Sequence, residues 1–231
     1  MTLLKRIEHI QQTIHEVERA CHRQSGSVAL LAVSKGQSCE LIEQAFYAGL
    51  HHFGENYLQE AMEKIQLLHS LPINWHFIGA IQSNKVPAIA QNFSWVHGVC
   101  RKKIAQLLHD HRPDSLPVLN VCMQINIDDS DTKSGIQPES AEELAHYITQ
   151  LPRIHLRGLM VITRPMVDED QQYKIYLRVT ELFDTLNAKL GLSMDTLSMG
   201  MSDDLSVAIR AGSTLVRVGR GIFGERKKHE H

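Results

Sequence analysis

The feature that most constrains this chain is an alternation repeated from end to end. Short apolar or β-branched runs are followed by longer helical patterns, with no Pro/Gly/Ser-rich linker between them. The runs fall at 28–33, 51–54, 75–78, 93–96, 117–125, 154–161, 196–199 and 214–218. The first helix opens at Ser38, a good N-cap, carries Leu41, Ile42, Ala45 and Phe46 on one face, and ends at Gly49. Asn56-x-x-Gln59 resembles a capping box before a helix towards Leu68, and Pro87 interrupts a helix over 83–91. Further helices are expected over 102–111, 141–150, 170–190 and 203–211, the last with Gly212 as its C-cap. Strand–helix alternation implies a parallel sheet. Eight units in about 200 residues fit the compact end of the (β/α)₈ range. The expected fold is an α/β single TIM barrel spanning residues 1–231, with an open doubly wound sheet as the alternative, because periodicity does not report closure.

An additional N-terminal helix is expected within residues 1–24, where Leu3, Leu4, Ile7, Ile10, Ile14, Val17 and Cys21 share a stripe. Its acids Glu8, Glu16 and Glu18 argue against a mitochondrial transit peptide, and no signal peptide is expected. Residues 226–231 read as a frayed tail. Lys plus Arg total 24 against 26 for Asp plus Glu, so the net charge of -2 gives no field for nucleic acid. The longest apolar run, 28–33, is too short to cross a bilayer. Cys21, Cys39, Cys100 and Cys122 have no ligand spacing and read as reduced thiols of a cytoplasmic protein. No metal site is expected among the 14 histidines. His51 and His52 point to opposite faces of a strand, and His109 and His111 cannot share a helix face.

In a barrel, chemistry gathers at the carboxyl ends of the strands. Lys35 falls just past the first strand, Asn56 past the second, Ser202 past the seventh, and Gly219-Arg220-Gly221 past the eighth, which Arg217 ends. A lysine at an apolar strand end is costly as an ammonium and is relieved by covalent use as a Schiff base. The plain alternative is a lysine that reaches solvent or pairs with an acid. The glycine-rich segment after strand eight, with Ser202, has the form of a phosphate seat. The plain alternatives are an N-cap for Ser202 or Asn56 and tight turning for the glycines. Gly219-x-Gly221-x-x-Gly224 is not a dinucleotide fingerprint, since no βαβ unit follows it. The loop 128–135 is not an EF-hand, because Ser134 and Ser140 occupy its glycine and bidentate-acid positions.

Several blocks carry a resemblance over about residues 30–226: Ala32-Val-Ser-Lys35, Phe53-Gly-Glu-Asn-Tyr57 with Gln59-Glu60, and Trp75-His-Phe-Ile-Gly79 with Gln82, Asn84 and Lys85. Lys133-Ser-Gly135, Gly158-Leu-Met160, Ser198-Met-Gly-Met-Ser-Asp203 and Gly212-Ser-Thr with Arg217 and Ile222-Phe-Gly224 continue it. Together they strongly resemble the pyridoxal phosphate homeostasis protein family, single barrels related to the N-terminal domain of alanine racemase. The resemblance implies pyridoxal 5′-phosphate (PLP) held as a Schiff base on Lys35. Asn56 would lie beside the pyridine ring, and Ser202 with the Gly219 and Arg220 amides would hold the phosphate. Arg217 would face the ring nitrogen. Thr214 is a further candidate for the same site, with a buried strand residue as its alternative. Arg220 departs from the family, which commonly has Thr or Ser there.

An arginine at the pyridine nitrogen only donates, so the ring stays unprotonated and is a poor electron sink. The related racemases take a second base from an added β domain, which the given sequence does not contain. The expectation is therefore a monomeric carrier or reservoir that serves apo PLP enzymes, with no catalytic residue. The rival is a PLP enzyme with weak racemase or transaminase activity using Tyr57 or His76. A third reading is a Schiff-base aldolase using Lys35 without a cofactor. Lys133 is a separate candidate for phosphate contact or PLP hand-off, with a solvated loop lysine as the alternative.

Overall fold

In the computed structural model, residues 1–128, 134–164 and 168–224 are described, so the Lys133 candidate and the tail at 226–231 lie outside them. Eight parallel strands, β1 (Ala29–Val33), β2 (His52–Glu55), β3 (Asn74–Phe77), β4 (Trp95–Val99), β5 (Leu119–Gln124), β6 (Ile154–Met160), β7 (Thr196–Ser198) and β8 (Leu215–Val218), follow one another around a closed barrel. Closure is made by β8 on β1, with Leu31 opposite Arg217 and Ala32 opposite Val218. The open-sheet alternative is thereby excluded.

The expected N-terminal helix is α1 (Leu3–Ala20). Between strands run α2 (Cys39–Tyr47), α3 (Leu58–Leu67), α4 (Val86–Asn92), α5 (Lys102–His111), α6 (Ala141–Thr149), α7 (Glu169–Leu190) and α8 (Leu205–Arg210), and a single turn, α9 (Arg220–Phe223), follows β8. The main core lies between strands and helices, where Phe53, Phe77 and Phe93 pack with Ile42, Ile89, Ile104 and Leu108. Each such side chain contributes roughly 1.5–3 kcal/mol on burial. Ser38 caps α2 as expected, and Gly191 closes α7 in the left-handed region at φ 60°.

One local expectation is borne out in part and two need correction. The stretch 83–91 is divided, a 3₁₀ turn over Ser83–Lys85 and then α4, and Pro87 sits in the first turn of α4, where its missing N–H costs nothing. No capping box forms at Asn56, because α3 is entered one residue later, from Tyr57, without a side-chain cap. The last inter-strand helix starts at Leu205 instead of 203, behind Asp204, and ends at Arg210, with Ala211 and not Gly212 as its C-cap.

The α1 stripe is borne out at Ile7, Ile10 and Ile14, which pack on α8 and α9, while Leu4 stays exposed. Glu18 on the same helix is also buried. Its carboxylate accepts from the Gly26 and Val28 amides at 3.0 and 2.8 Å and from Ser27 Oγ at 3.1 Å. Burial alone would raise its pKa, but these bonds and one with His15 outweigh that and bring it below the usual value.

Candidate functional site

At the carboxyl rim, Lys35 sits half-buried in the turn after β1, its flanks anchored by a buried ion network. Lys64 Nζ, on α3, donates to the Ser34 carbonyl at 2.7 Å, to Glu55 Oε1 at 2.8 Å and to Glu60 Oε1 at 2.5 Å. Glu60 Oε1 also accepts from the Gly36 amide at 2.5 Å, and Ser34 Oγ donates to Glu55 Oε1 at 2.7 Å. Both peptide neighbours of Lys35 are thus held by one triad. Burial pushes the Glu55 carboxyl up, opposed by the Lys64 ammonium and the Ser34 hydroxyl. Glu55, Glu60 and Lys64 were missed as a unit in the sequence. The spacing Glu60-x-x-x-Lys64, an i,i+4 pair, was the signal available.

Asn56 follows β2, and its side-chain Oδ1 is buried without a hydrogen-bond partner. Gly79, after β3, lies so close to it that a Cβ there would stand 2.1 Å from the Asn56 carbonyl oxygen. Only glycine at 79 permits so close an approach of the two backbones.

On the opposite side, Arg217 is buried in β8. Its Nη1 donates to the Ser198 carbonyl at 2.6 Å and to Ser198 Oγ at 2.9 Å, and its Nη2 to the Val161 carbonyl at 2.8 Å. Burial draws the guanidinium below its ordinary range, countered by Tyr176, Asp204 and Cys122. Ser202 lies in the turn between β7 and α8. Asp204 shapes that turn by accepting from the Met201 amide at 2.6 Å, and is itself held by the Tyr176 hydroxyl at 2.7 Å. Asp204 and Tyr176 were not foreseen, and nothing local in sequence links them.

Gly219 precedes α9, whose intrahelical bonds begin with the Ile222 amide on the Gly219 carbonyl, leaving the Arg220 and Gly221 amides as the orphan donors of a helix start. A Cβ on Gly221 would meet Val218 at 2.8 Å, Ile10 of α1 at 3.2 Å and Ser202 Oγ at 3.5 Å. Ser202 and the α9 turn therefore form one cradle backed by α1. The Arg220 side chain leaves it, donating to Asp203 at 3.3 Å in an exposed pair, so only its backbone faces this cradle.

Lys35, Asn56, Ser202, Arg217, Gly219 and Arg220 thus gather at the carboxyl end of the barrel. Thr214 does not join them. It precedes β8 at the amino end, where its Oγ1 donates to the Asp195 carbonyl at 3.0 Å and accepts from the Leu197 amide at 2.8 Å. The length of β8, roughly 15 Å at strand rise, separates it from the Gly219 cradle. Of the rival bases, Tyr57 is exposed at the rim, whereas His76 is buried in the barrel with both ring nitrogens bonded to other histidines.

The donor set fits PLP: an amine for its aldehyde, backbone amides and a hydroxyl for its phosphate, a donor-only side chain for its ring nitrogen, and an unsatisfied amide oxygen at Asn56. Residues 6–227 match the model of the alanine racemase N-terminal domain family. A pyridoxal phosphate homeostasis protein of Pseudomonas aeruginosa is 48% identical over 225 residues, covering 97% of this chain and 96% of its own. The solved structure of PipY from Synechococcus elongatus with PLP bound is 30% identical, covers 96% of this chain and all of its own, and superposes with a TM-score of 0.84. An alanine racemase of Corynebacterium glutamicum, 17% identical, shares the fold over 99% of this chain and 62% of its own, with a TM-score of 0.69. The chain belongs to the pyridoxal phosphate homeostasis protein family, within the family of alanine racemase N-terminal domains.

Proposed function

We propose that this protein binds PLP at the carboxyl rim, as a Schiff base on Lys35, and acts in PLP homeostasis as a reservoir that releases the cofactor to apo enzymes. The observation that carries the reading is whole-chain similarity to PipY, a structure that contains PLP, met here by a fitting donor set at one rim. When bound, PLP supplies an aldehyde that condenses reversibly with an amine, with loss of water.

Each residue has a role in that reading. Lys35 offers the amine, in a turn that Lys64, Glu55 and Glu60 keep rigid. Ser202 and the Gly219 and Arg220 amides receive the phosphate, a dianion suited to backbone N–H groups. Asn56 lies beside the ring. Arg217 presents an N–H to the ring nitrogen and, being unable to accept, keeps it unprotonated. An unprotonated ring stabilises carbanions poorly, which favours storage over catalysis. The burial of His76 removes one candidate base and supports the same side. The protein works on this reading as a cytoplasmic monomer, in keeping with its four free thiols.

The test is spectroscopic. Purified protein loaded with PLP is expected to absorb in the visible, to lose that band on borohydride reduction, and to yield a reduced adduct mapping to Lys35. Lys35→Ala is expected to be colourless. A wild-type protein that cannot be loaded, or an adduct mapping elsewhere, overturns the assignment. Incubation with amino acids in deuterated water separates the rival: deuterium at Cα with turnover would make it an enzyme.

A further inference from the structure

The barrel interior contains a row of polar side chains that PLP binding, as proposed above, does not itself use. His52 Nδ1 lies 2.9 Å from His76 Nε2, His76 Nδ1 lies 2.9 Å from His97 Nε2, and His97 Nδ1 lies 3.0 Å from Ser198 Oγ. Ser198 Oγ then accepts from Arg217. The row starts near the amino-terminal end, where His52 lines a hollow with Ser27, Arg157, Asp195 and Thr214, and finishes at the arginine. It crosses β2, β3, β4, β7 and β8.

We propose that this row is a hydrogen-bonded chain of fixed polarity that orients Arg217, making Ser198 and His97 positioning residues for the arginine that meets the ring nitrogen. The inference rests on the proposed binding mode for its purpose, though not for its existence.

The polarity follows from the need to satisfy the hydrogen of the fully buried Ser198 hydroxyl. A guanidinium only donates, so Ser198 Oγ is an acceptor towards Arg217. The hydroxyl still has its own hydrogen to place, and the His97 Nδ1 lone pair is the acceptor 3.0 Å away. His97 therefore has its proton on Nε2 and gives it to His76 Nδ1. By the same logic His76 donates from Nε2 to His52 Nδ1, and His52 keeps its proton on Nε2, facing the amino end. Adding a proton to His52 or His76 would set two ring N–H groups against each other, and adding one to His97 would leave the Ser198 hydroxyl hydrogen without its acceptor.

The surroundings agree with three neutral rings. His97 is held down to about 3 by burial and then by Arg217. His76 lies well below its ordinary value through burial, then His97 and His52, and His52 is lowered by burial and by His51. Trp95 stacks on His76 with ring centroids 5.3 Å apart, and Arg157 lies over the other part of that system at 4.8 Å from the Trp95 ring. No carboxylate is bonded to any of the three rings among the described residues.

At the far end the consequence is mechanical. Ser198 O, Ser198 Oγ and Val161 O together take three N–H groups of the Arg217 fork, leaving its remaining donors in one fixed direction. Without the Ser198 hydroxyl the fork loses one of three anchors, and His97 loses the donor that sets its tautomer.

Two measurements test this. In PLP-free protein, long-range ¹⁵N–¹H spectra of the imidazoles are expected to show His52, His76 and His97 as neutral Nε2–H tautomers across neutral pH. An Nδ1–H form or a charged ring at His76 or His97 overturns the chain, whether or not PLP binds. In PLP-loaded protein, Ser198→Ala is expected to shift the visible band and release PLP roughly ten-fold faster, the loss of one hydrogen bond to a charged group. Ser198→Thr, which keeps the hydroxyl, is expected to restore both. A Ser198→Ala protein with wild-type band and release rate removes the positioning role. Should that variant fail to fold, the wild-type tautomers still decide. Failure of wild-type protein to take up PLP would sink the binding mode and leave the tautomer result standing.

Discussion

The backbone on both sides of Lys35 is held through Lys64, which reaches the Ser34 carbonyl and both Glu55 and Glu60 while almost fully buried. Breaking a buried ion pair by removing one partner leaves a charge without compensation and costs about 3–5 kcal/mol. Lys64→Met is therefore expected to lower the melting temperature by roughly 6–20 °C for a domain of this size. It should also weaken PLP retention, because Glu60 loses the cation that aims it at the Gly36 amide. The double variant Glu55→Gln, Lys64→Met is expected to recover part of the stability, since it removes the deeper carboxylate. Thermal melts of both proteins check this, and a single variant as stable as wild type would show that the triad is not a support. Of this network only the i,i+4 spacing of Glu60 and Lys64 was legible in the sequence. Lys64 looks like any surface helix lysine until the fold brings Ser34 to it from 30 positions away.

At the scale of elements, α1 is more than an appendage, because it backs the α9 turn through Ile10 and caps the entry to β1 through Glu18. The helix stripe is readable from its 3.6 period, but in the sequence Glu18 reads only as an acid unsuited to a transit peptide. Its partners, the Gly26 and Val28 amides, are backbone groups that no pattern of side chains announces. Strand ends were similarly readable only to within two residues, or three at the end of β4, which matters little for the barrel and a great deal for single residues. Thr214 is the example: it precedes the strand that would have to deliver it to the rim. Glu18→Gln is expected to cost about 1–3 kcal/mol at neutral pH, the difference between charge-assisted and neutral hydrogen bonds. The sign with pH is set by the lowered carboxyl. Its contribution is complete above the unfolded value of 4.5 and fades as pH falls below that through the folded value. Melts of wild type and Glu18→Gln are thus expected to converge in acid below 4.5. A gap that widens there would contradict the assignment.

For the whole molecule, closure of the sheet decides how ligand binding is felt. Every strand has two neighbours, so the rim residues contributed by β1, β2, β7 and β8 belong to one hydrogen-bonded ring. The alternation in the sequence revealed the number of units, and position along each unit revealed the rim. It could not reveal that the barrel interior is threaded by His52, His76, His97 and Ser198, because those contacts join residues up to 101 positions apart and depend on closure. A ligand fastened to Lys35 and seated on Ser202 and the α9 turn spans the β8–β1 seam, the pairing made last in chain order. Unfolding must break that seam, so binding energy adds directly to stability. At free PLP about 100 times the dissociation constant, linkage contributes about 2.7 kcal/mol. For a domain of 150–250 residues this raises the melting temperature by roughly 5–10 °C. Lys35→Ala is expected to lose most of that rise. Pyridoxine 5′-phosphate, which has the phosphate and ring but no aldehyde, is expected to give only a small rise with either protein. A scanning melt with each vitamer separates the contributions: an undiminished PLP rise in Lys35→Ala would move the anchoring amine elsewhere, and equal rises from both vitamers would mean that the phosphate seat alone holds the ligand.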